Sequence, residues 1–279
     1  MKKILVAAVV AAAFCGAPAL AADMAVKAPP TVPAPVYSWT GFYIGGNIGY
    51  GWTDPTITLT PNDGGTGVGF FALGAPPISV NGTGVLGGVE AGYNWQASNS
   101  WLVGVETDFD FAGIRGSGAV TYPTATILSP LTETATQRVD WFGTVRARLG
   151  YLPTENLLVF GTAGFAYGRV TQNGNLINDS TANSNSANGA CPSGPGFVCF
   201  AGSGANVSTG WTVGGGFEYA IANNWSLKAE YLYVRLDGPT FFEPVLFGNT
   251  PTGVATGGLF AHSSDIDLNV VRGGLNYKF

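Results

Sequence analysis

Hydrophobic and polar positions alternate with a period of two along much of this chain, and that period is typical of β-strands. In the first such segment Phe42, Ile44 and Ile48 fall on one face, whereas Tyr43 and Asn47 fall on the other. Eight segments show the pattern, at 42–52, 85–95, 101–111, 138–151, 157–169, 211–221, 225–233 and 271–279. The alternation therefore predicts an all-β protein with eight strands.

The two faces of these strands differ in composition. One face carries aromatic and aliphatic residues, and the other carries mainly Gly with scattered Glu, Asp, Arg and Lys. A soluble eight-stranded barrel would bury its apolar face and expose a densely charged one. Because only 10% of the residues are charged, we expect the reverse, with the apolar face against lipid and the ionic face inside. Segment 157–169 is apolar on both faces, and its orientation is left open.

Segment and connection lengths favour a barrel that crosses a bilayer. At about 3.3 Å per residue and a tilt near 45°, roughly 9–13 residues cross a hydrocarbon layer of about 25 Å. Short connections are expected at 96–100, 152–156 and 222–224, and long ones at 53–81, 112–136, 172–207 and 237–264. This asymmetry predicts an eight-stranded antiparallel up-and-down transmembrane β-barrel with short periplasmic turns and long extracellular loops.

Large aromatic residues cluster at both ends of the predicted strands. Amphipathic rings of this kind form girdles at the two membrane interfaces, because their bodies are apolar and their polar tips stay hydrated. The girdle beside the short turns is predicted to contain Trp95, Trp101, Tyr151, Tyr219, Trp225 and Phe279, and the opposite girdle Trp52, Phe111, Trp141, Trp211 and Tyr233.

The N-terminal region has the features of an export signal. Lys2 and Lys3 precede an apolar stretch at 4–14, and a small-x-small cleavage site ends at Ala21. Cys15 is expected to leave with this segment. The predicted organisation is a signal peptide at 1–21, a Pro-rich periplasmic lead-in at 22–38 and a barrel domain at 39–279. No other segment reaches the roughly 18 apolar residues that a spanning helix needs.

Net charge and cysteines limit the remaining chemistry. The formal charge is −5, and loss of Lys2 and Lys3 makes it −7 (−5 − 2), which disfavours nucleic acid as a partner. Cys191 and Cys199 lie close together in a loop-like stretch. We expect them to form a disulfide in an oxidising compartment. Zinc is the less favoured reading, because two cysteines without a nearby His cannot complete a tetrahedral site.

The charged residues of the inner face are the densest chemical feature of the sequence. The predicted lumen network comprises Glu90, Glu106, Arg146, Arg148, Glu218, Lys228, Glu230 and Arg272, and the same face is expected to hold Asp108, Asp110, Arg138, Asp140 and Lys278. Buried charges must be paired, because an isolated one is very costly. The network is therefore expected to be a set of ion pairs across the interior.

Hairpin geometry predicts individual partners within this network. A turn centred on Ser98 places Glu90 opposite Glu106, and Arg146 is then the cation expected beside them. A turn centred on Asn223 makes Glu218 face Lys228, and Arg272 is expected near Glu230.

Two arrangements also allow a catalytic interpretation. Glu90 and Glu106 could form an acid–base pair, and His262, Ser263 and Asp265 contain the residue types of a hydrolytic triad. The interior of an eight-stranded barrel is, however, filled by its own side chains. Consecutive residues rarely point their side chains at one another, so His262 is expected to be a solvated loop histidine. We therefore expect no catalytic, cofactor-binding or metal-binding residues and no enzymatic activity.

Three stretches carry a resemblance to a known family: residues 39–51, the strand at 141–151 with Arg146, and residues 271–279. From about Trp39 to its end the chain resembles small outer-membrane β-barrel proteins of Gram-negative bacteria, the porin-like group of alphaproteobacterial surface antigens. The resemblance implies an outer-membrane location, eight strands and no shared active site. Leu275, Tyr277 and Phe279 resemble the signal by which such barrels are recognised for insertion.

Three roles are consistent with the sequence. The leading hypothesis is a barrel for envelope integrity that acts as a surface antigen. The alternatives are a small-solute porin, and an adhesin or ligand binder that uses loop aromatics such as Phe70, Phe71, Phe241 and Phe242. The expected partners are outer-membrane lipid, lipopolysaccharide and the barrel-assembly machinery, with peptidoglycan or a host surface as further candidates. No cofactor is expected.

Overall fold

The computed structural model describes residues 37–61, 76–122, 131–178, 197–244, 246 and 258–279. The predicted signal peptide, residues 22–36 of the lead-in, and Cys191 lie outside these ranges. The strands are β1 (Gly41–Thr53), β2 (Thr56–Pro61), β3 (Ile78–Ser79), β4 (Gly82–Gln96), β5 (Trp101–Tyr122), β6 (Leu131–Thr154), β7 (Leu157–Asn178), β8 (Phe197–Ala222), β9 (Trp225–Leu236), β10 (Thr240–Pro244), β11 (Gly258–Ser263) and β12 (Ile266–Lys278). Within the described ranges, no helix is both long and apolar enough to cross a membrane.

Eight of these strands form a closed antiparallel barrel in the order β1-β12-β9-β8-β7-β6-β5-β4. The barrel closes because β1 pairs with β4 on one side and with β12 on the other. At the seam the Phe279 amide donates a hydrogen bond of 3.0 Å to the Phe42 carbonyl. The predicted fold class is confirmed, and closure leaves no edge strand for lipid to face.

The apolar side chains point outward, as expected. Ile48, Phe42 and Val85 expose 72%, 67% and 67% of their surface on the outer wall. The structure also settles the orientation of the segment at 157–169. Leu158 is fully buried in the interior, whereas the adjacent Val159 is 46% exposed. A wall of this kind is stable only where lipid replaces water.

Aromatic rings form the two predicted belts on the outer wall. The rings beside the short turns, among them Trp95, Trp101 and Trp225, are exposed, and Trp101 packs against Tyr151 with 5.4 Å between centroids. At the other end Phe109, Phe111, Trp141, Tyr167 and Phe165 form a continuous row of ring contacts across β5, β6 and β7. This upper aromatic row marks the outer edge of the hydrocarbon layer.

Four barrel strands are much longer than predicted. β5, β6, β7 and β8 contain 22, 24, 22 and 26 residues and continue beyond the upper aromatic row into stretches expected to be loops. The alternation persists there, because Leu131, Leu176 and Phe200 remain buried at the extracellular end. The outer face of these extensions is mainly polar, with Ser117, Thr136 and Arg138 among its residues, so the strands leave the membrane without an apolar wall.

A second sheet covers the extracellular end of these extended strands. It has the order β10-β11-β2-β3 and is built from segments that were predicted to be long loops. It shares a hydrophobic core with the barrel extension, which contains Ile57, Leu59, Ile78, Val80, Leu131, Ala135, Leu176, Cys199, Phe200, Phe241, Leu259 and Ala261. We call this sheet and the strand ends packed against it the extracellular cap.

A β-bulge in β6 gives this strand other inner and outer faces than the sequence predicted. The β6–β7 register shifts between Val139 and Trp141, which leaves Asp140 as the extra residue. A bulge changes the side-chain phase of a strand. Arg138 and Asp140 consequently lie on the outer wall, with 44% and 23% of their side-chain surface exposed, and their assignment to the lumen was wrong.

Apolar layers fill the barrel above and below its charged centre. The periplasmic plug contains Tyr37, Trp39, Leu102, Leu152, Leu158, Phe160 and Ala220. The upper apolar layer contains Leu86, Ile114, Val139, Phe142, Ala166, Val170, Leu232, Val234, Leu236, Ile266, Leu268 and Val270. Trp39 is 2% exposed, and its Nε1 donates to the Glu155 carbonyl at 2.9 Å. The lead-in to β1 therefore closes the periplasmic end of the lumen.

Candidate functional site in the barrel interior

A layer of charged side chains fills the middle of the barrel, between the periplasmic plug and the upper apolar layer. In the described ranges it contains six acids and four bases, and each residue is at most 4% exposed. The acids are Glu90, Glu106, Asp108, Asp110, Glu218 and Glu230, and the bases are Arg146, Arg148, Lys228 and Arg272. We refer to these ten residues as the charged layer.

Arg146 is the centre of this layer. Its guanidinium donates to Glu106, to Asp108 Oδ2 at 2.8 Å and to Glu230 Oε1 at 2.5 Å. The Thr162 hydroxyl accepts a further hydrogen bond at 3.0 Å. A planar guanidinium can serve several carboxylates at once because its donors diverge in fixed directions.

Arg272 forms a second centre on β12. Its guanidinium donates to Asp110 Oδ2 at 2.6 Å, to Asp108 Oδ2 at 2.9 Å and to Glu230 Oε2 at 2.8 Å. Asp108 and Glu230 thus contact both Arg146 and Arg272. The shared carboxylates join the two arginines into one network, which compensates the cost of removing the charges from water.

Arg148 lies at the lower border of the charged layer, next to the periplasmic plug. It forms an ion pair with Glu218 and places its guanidinium carbon 4.0 Å from the centroid of the Phe160 ring. Glu218 also accepts hydrogen bonds from Ser226 and from Asn276, the latter at 3.0 Å. This arginine therefore combines an ion pair with a cation–π contact at the boundary between polar and apolar layers.

Lys228 occupies the position where a metal ion would be considered. Oxygen atoms of Glu90, Glu106 and Glu230 lie within 4.8 Å of one another. The Lys228 ammonium lies 2.7 Å from Glu90 Oε2, 2.9 Å from Glu106 Oε1 and 3.4 Å from Glu230 Oε2. The ammonium supplies the positive charge that these carboxylates require, so a metal ion would have to displace it.

Neutral donors add hydrogen bonds around the excess acids. The Tyr43 hydroxyl donates to Glu106 Oε2 at 2.5 Å, and the Thr144 hydroxyl donates to Asp108 Oδ2 at 2.7 Å. Six acids face only four bases, and among the described residues Glu90 Oε1, Asp108 Oδ1 and Asp110 Oδ1 still accept no hydrogen bond. Hydroxyl donors from β1 and β6 are thus part of the same network.

Glycine on the inner face provides the space for these long side chains. A Cβ atom at Gly216 would lie 2.0 Å from the Ala229 carbonyl oxygen and 2.9 Å from the Glu230 Cα. At Gly164 it would lie 2.0 Å from the Val145 carbonyl oxygen. Both distances are far below van der Waals contact, so the backbone can approach its neighbour only where the side chain is absent.

The predicted partners agree with the structure in some cases and differ in others. Glu106 lies opposite Arg146, and Arg272 lies opposite Glu230, as expected. Glu90 lies opposite Asp108 rather than Glu106, so the predicted pairing in this hairpin was wrong. The reason is that the turn is centred on Asn99, one residue later than the predicted centre at Ser98.

The ion-pair partner of Glu218 is not the residue that lies opposite it on the neighbouring strand. Glu218 lies opposite Lys228 along the β8–β9 hairpin, as expected. The Lys228 ammonium nevertheless reaches across the lumen to Glu90 and Glu106, and Glu218 pairs with Arg148 instead. Long side chains in a narrow lumen can therefore form ion pairs with residues on strands that are not their neighbours.

Two acids that were expected on the inner face, but not selected for the lumen network, are full members of the charged layer. Asp108 and Asp110 contact Arg272, and they fall in phase with Glu106 along β5. That phase is the signal that identifies them. Tyr43, in contrast, is an aromatic residue on a glycine-rich face, and nothing in its local sequence indicates an interior hydrogen bond.

His262 does not form a triad. Its Nε2 lies 2.9 Å from the Thr60 hydroxyl and its Nδ1 lies 3.1 Å from the Thr240 hydroxyl, on the exposed face of the cap. The Ser263 hydroxyl donates to the Ser264 carbonyl instead.

Cys199 is buried in the cap and is disulfide-bonded. Its predicted partner, Cys191, lies outside the described ranges.

The predicted insertion signal lies on the outer wall beside the periplasmic turns. Leu275 and Phe279 are 42% and 67% exposed. Tyr277 packs between Trp225 and Phe279, with ring centroids at 5.0 and 5.3 Å. These side chains are accessible from lipid and form part of the lower aromatic belt.

Sequence comparisons with known proteins agree with this architecture. The family model described as outer membrane protein beta-barrel domain matches residues 7–279. The chain is 37% identical over 288 residues to the 31 kDa outer-membrane immunogenic protein of Brucella melitensis biotype 1, with 100% of both chains covered. It is 28% identical over 200 residues to the 22 kDa outer membrane protein of Rhizobium leguminosarum bv. viciae, covering 71% of this chain and 65% of that protein. The crystal structure of outer membrane protein OprG from Pseudomonas aeruginosa aligns with 13% identity and a TM-score of 0.46, covering 87% of this chain and 98% of OprG.

Proposed function

The chain belongs to the outer membrane protein beta-barrel domain family, and we propose that its barrel is a non-conducting structural element of the envelope that presents a folded antigenic cap. The cross-lumen ion pairs are the observation that carries this proposal. Lys228 on β9 pairs with Glu90 on β4, and Arg272 on β12 pairs with Asp108 on β5. These strands lie three positions apart in the ring of eight, so the pairs span the interior.

The layers above and below the ion pairs support the same role. The periplasmic plug and the upper apolar layer consist of buried apolar side chains. Transfer of an ion through such layers would remove its hydration without offering polar partners. Three successive barriers therefore oppose a small-solute porin, for which a water-filled lumen is required.

The surface-antigen part of the proposal rests on the cap. It projects beyond the upper aromatic row and has its own hydrophobic core. The 31 kDa relative is described as immunogenic, and a stably folded extracellular structure would give antibodies a fixed surface to recognise. No step of this role involves catalysis.

Planar-bilayer recording and an envelope assay together test the proposed function. Heat-modifiable, purified wild-type protein should show no steady openings in a bilayer and no solute uptake in liposomes. A deletion strain should admit more of a hydrophobic fluorescent dye, and the wild-type gene should restore the barrier. Steady openings, or a deletion strain with an unchanged barrier, would contradict the proposal.

A surface binder is a second candidate because an aromatic patch lies on the exposed face of the cap. Phe242 is 39% exposed and packs against Phe260 at 5.1 Å, and the Phe260 ring is 6.1 Å from that of His262. Exposed aromatic patches are typical of binding surfaces. Replacement of Phe242 and Phe260 by Ser should abolish cell attachment if this role is correct, and unchanged attachment would exclude it.

A further inference from the structure

Three arginines lie side by side on the outer wall just outside the upper aromatic row. Arg115 is on β5, Arg138 on β6 and Arg169 on β7, which are consecutive strands of the barrel. All three are exposed to the surroundings of the barrel rather than to its lumen. Asp140 is the single acid on the outer face of these strands, so this sector carries a formal charge of +2 (3 − 1).

The arrangement of Arg115 and Arg138 is unfavourable in the protein alone. The two residues are direct cross-strand neighbours in the β5–β6 pairing. Like charges directly opposite one another destabilise a sheet. In the described ranges Arg115 has no ion-pair partner, whereas Arg138 Nε lies 2.5 Å from Asp140 Oδ1. An anion between the two guanidinium groups would remove this repulsion.

The bulge residue orients the other two arginines. Asp140 contacts Arg138 through Oδ1, and its Oδ2 lies 3.8 Å from Arg169 Nε. The Thr171 hydroxyl donates to the same Oδ2 at 2.8 Å and holds the carboxylate in place. Because Asp140 occupies the Nε side of each guanidinium, the terminal amino groups remain available for a second anion.

A groove beside the arginines offers neutral hydrogen-bonding groups. It has a volume of about 600 Å³ and is bordered by Arg115 and Arg138. Its remaining polar lining includes the short amide and hydroxyl side chains of Asn81, Ser117, Thr136, Thr171 and Asn173. Sugars are recognised by hydrogen bonds of this kind, and the cationic border favours a sugar that carries an anionic group.

The depth of the arginines matches that of lipid headgroups. Along their strands, Arg115, Arg138 and Arg169 lie four, three and two residues beyond Phe111, Trp141 and Tyr167 of the upper aromatic row. At about 3.3 Å per residue and a tilt near 45°, each arginine stands roughly 5–9 Å above the ring on its own strand, and Arg169 lies directly opposite Trp141 in the β6–β7 pairing. The polar headgroup region extends about 5–8 Å beyond the hydrocarbon layer. The arginines therefore face headgroups and not acyl chains.

We propose that Arg115, Arg138, Arg169 and the adjoining groove bind the phosphorylated sugar headgroup of a lipopolysaccharide molecule in the outer leaflet. The guanidinium groups bind a phosphate of lipid A, and the amide and hydroxyl side chains bind its sugar. Acyl chains of the same molecule then lie against the aromatic rings below. This inference rests on the outer-membrane location of the family and is independent of whether the lumen conducts.

Binding of purified lipid A in detergent micelles tests this site. We expect the triple variant Arg115→Gln, Arg138→Gln, Arg169→Gln to bind bis-phosphorylated lipid A about 100-fold more weakly than the wild type, because charge-assisted hydrogen bonds are lost. Dephosphorylated lipid A should bind the wild type and the triple variant equally weakly. Arg235→Gln is the matched control, since Arg235 is also an outer-wall arginine but its Nε and Nη2 already bind Asp267 at 2.6 and 2.9 Å.

Thermal stability and competition by inorganic phosphate test the site further. Without lipid, Arg115→Gln should leave thermal stability unchanged or raise it, because repulsion from Arg138 disappears; with lipid A it should lose most of the ligand-induced stabilisation. A fall in stability without lipid, or unchanged lipid A affinity in the triple variant, would overturn the site. Displacement of lipid A by equal concentrations of inorganic phosphate would overturn the assignment to a lipid.

Discussion

Arg146 on β6 donates to Glu230 on β9 across the barrel interior, with 2.5 Å between Nη1 and Oε1. Two strands, β7 and β8, separate them along the ring. The contact therefore joins parts of the wall that share no backbone hydrogen bonds. Together with the pairs of Lys228 and Arg272, it links opposite sides of the barrel independently of the sheet.

Arg146→Met tests the energetic role of the charged layer. The substitution would remove a cation that neutralises the buried carboxylates of Glu106, Asp108 and Glu230. Breaking buried pairs of this kind typically costs about 3–5 kcal/mol. We expect the urea midpoint of the refolded barrel in micelles to fall accordingly. Arg235→Met removes an exposed arginine and should change the midpoint little. Equal midpoints for the two variants would show that the charged layer does not stabilise the fold.

Gly216→Val tests the close approach of β8 to β9. A Cβ atom there would collide with the Ala229 carbonyl oxygen at 2.0 Å, and overpacking of this severity costs about 1–3 kcal/mol or more. The compact, heat-modifiable band should weaken or disappear on a gel. Gly161 is the matched control, because a Cβ atom at Gly161 would meet nothing closer than 3.9 Å. If Gly161→Val were equally damaging, strand propensity rather than space would be the cause.

The cap is expected to lose stability as pH rises. Glu133 and Glu243 are both fully buried, and their carboxyl oxygens lie beside Gly174. Burial, together with repulsion from Glu243, raises the pKa of Glu133 to about 9, and burial raises the pKa of Glu243 to about 7. The folded cap binds these protons more tightly than the unfolded chain does. Its stability is therefore full below about pH 4.5 and falls between there and pH 9.

Limited proteolysis of the cap at several pH values measures this effect. Wild-type protein should be cleaved faster at pH 8.5 than at pH 5, after correction for the activity of the protease. Glu133→Gln should remove most of the difference, whereas Glu155→Gln in an exposed turn should leave it unchanged. A cap that becomes more resistant as pH rises would refute the buried-carboxyl explanation.

Phe279→Ser tests the terminal insertion signal. Phe279 and Phe42 have the same exposure, 67%, and both lie at the periplasmic end of the wall. If the terminal aromatic residue is read during insertion, Phe279→Ser should strongly reduce the amount of barrel in the outer-membrane fraction, while Phe42→Ser should reduce it little. Equal reductions would mean that only the loss of an interfacial ring matters.

The sequence was sufficient for the wall of the barrel because its signal is local. A period of two assigns Phe42 and Ile48 to one face whatever their tertiary partners are, and sparse charge decides that this face meets lipid. The same phase places Glu106 and Arg146 inside. These features depend only on neighbours in the chain and on the solvent outside it.

The remaining features depend on contacts that no local pattern encodes. The bulge at Asp140 moves Arg138 from the predicted lumen to the outer wall, and one position on a turn decides whether Glu90 faces Glu106 or Asp108. The cap arises because segments expected to be loops pair with each other over long separations, as Leu259 does with Pro61. Partners across a lumen depend likewise on side-chain reach in three dimensions.

The seam between β1 and β12 has a consequence for biogenesis. The first and last barrel strands of the chain are neighbours, and their pairing extends from Tyr43–Lys278 to Thr53–Leu268. Until the final thirteen-residue strand has been exported, β1 keeps an unpaired edge that is open to aggregation. A chain cut short in this strand would lose the pairing of β12 with both β1 and β9 that seals the ring.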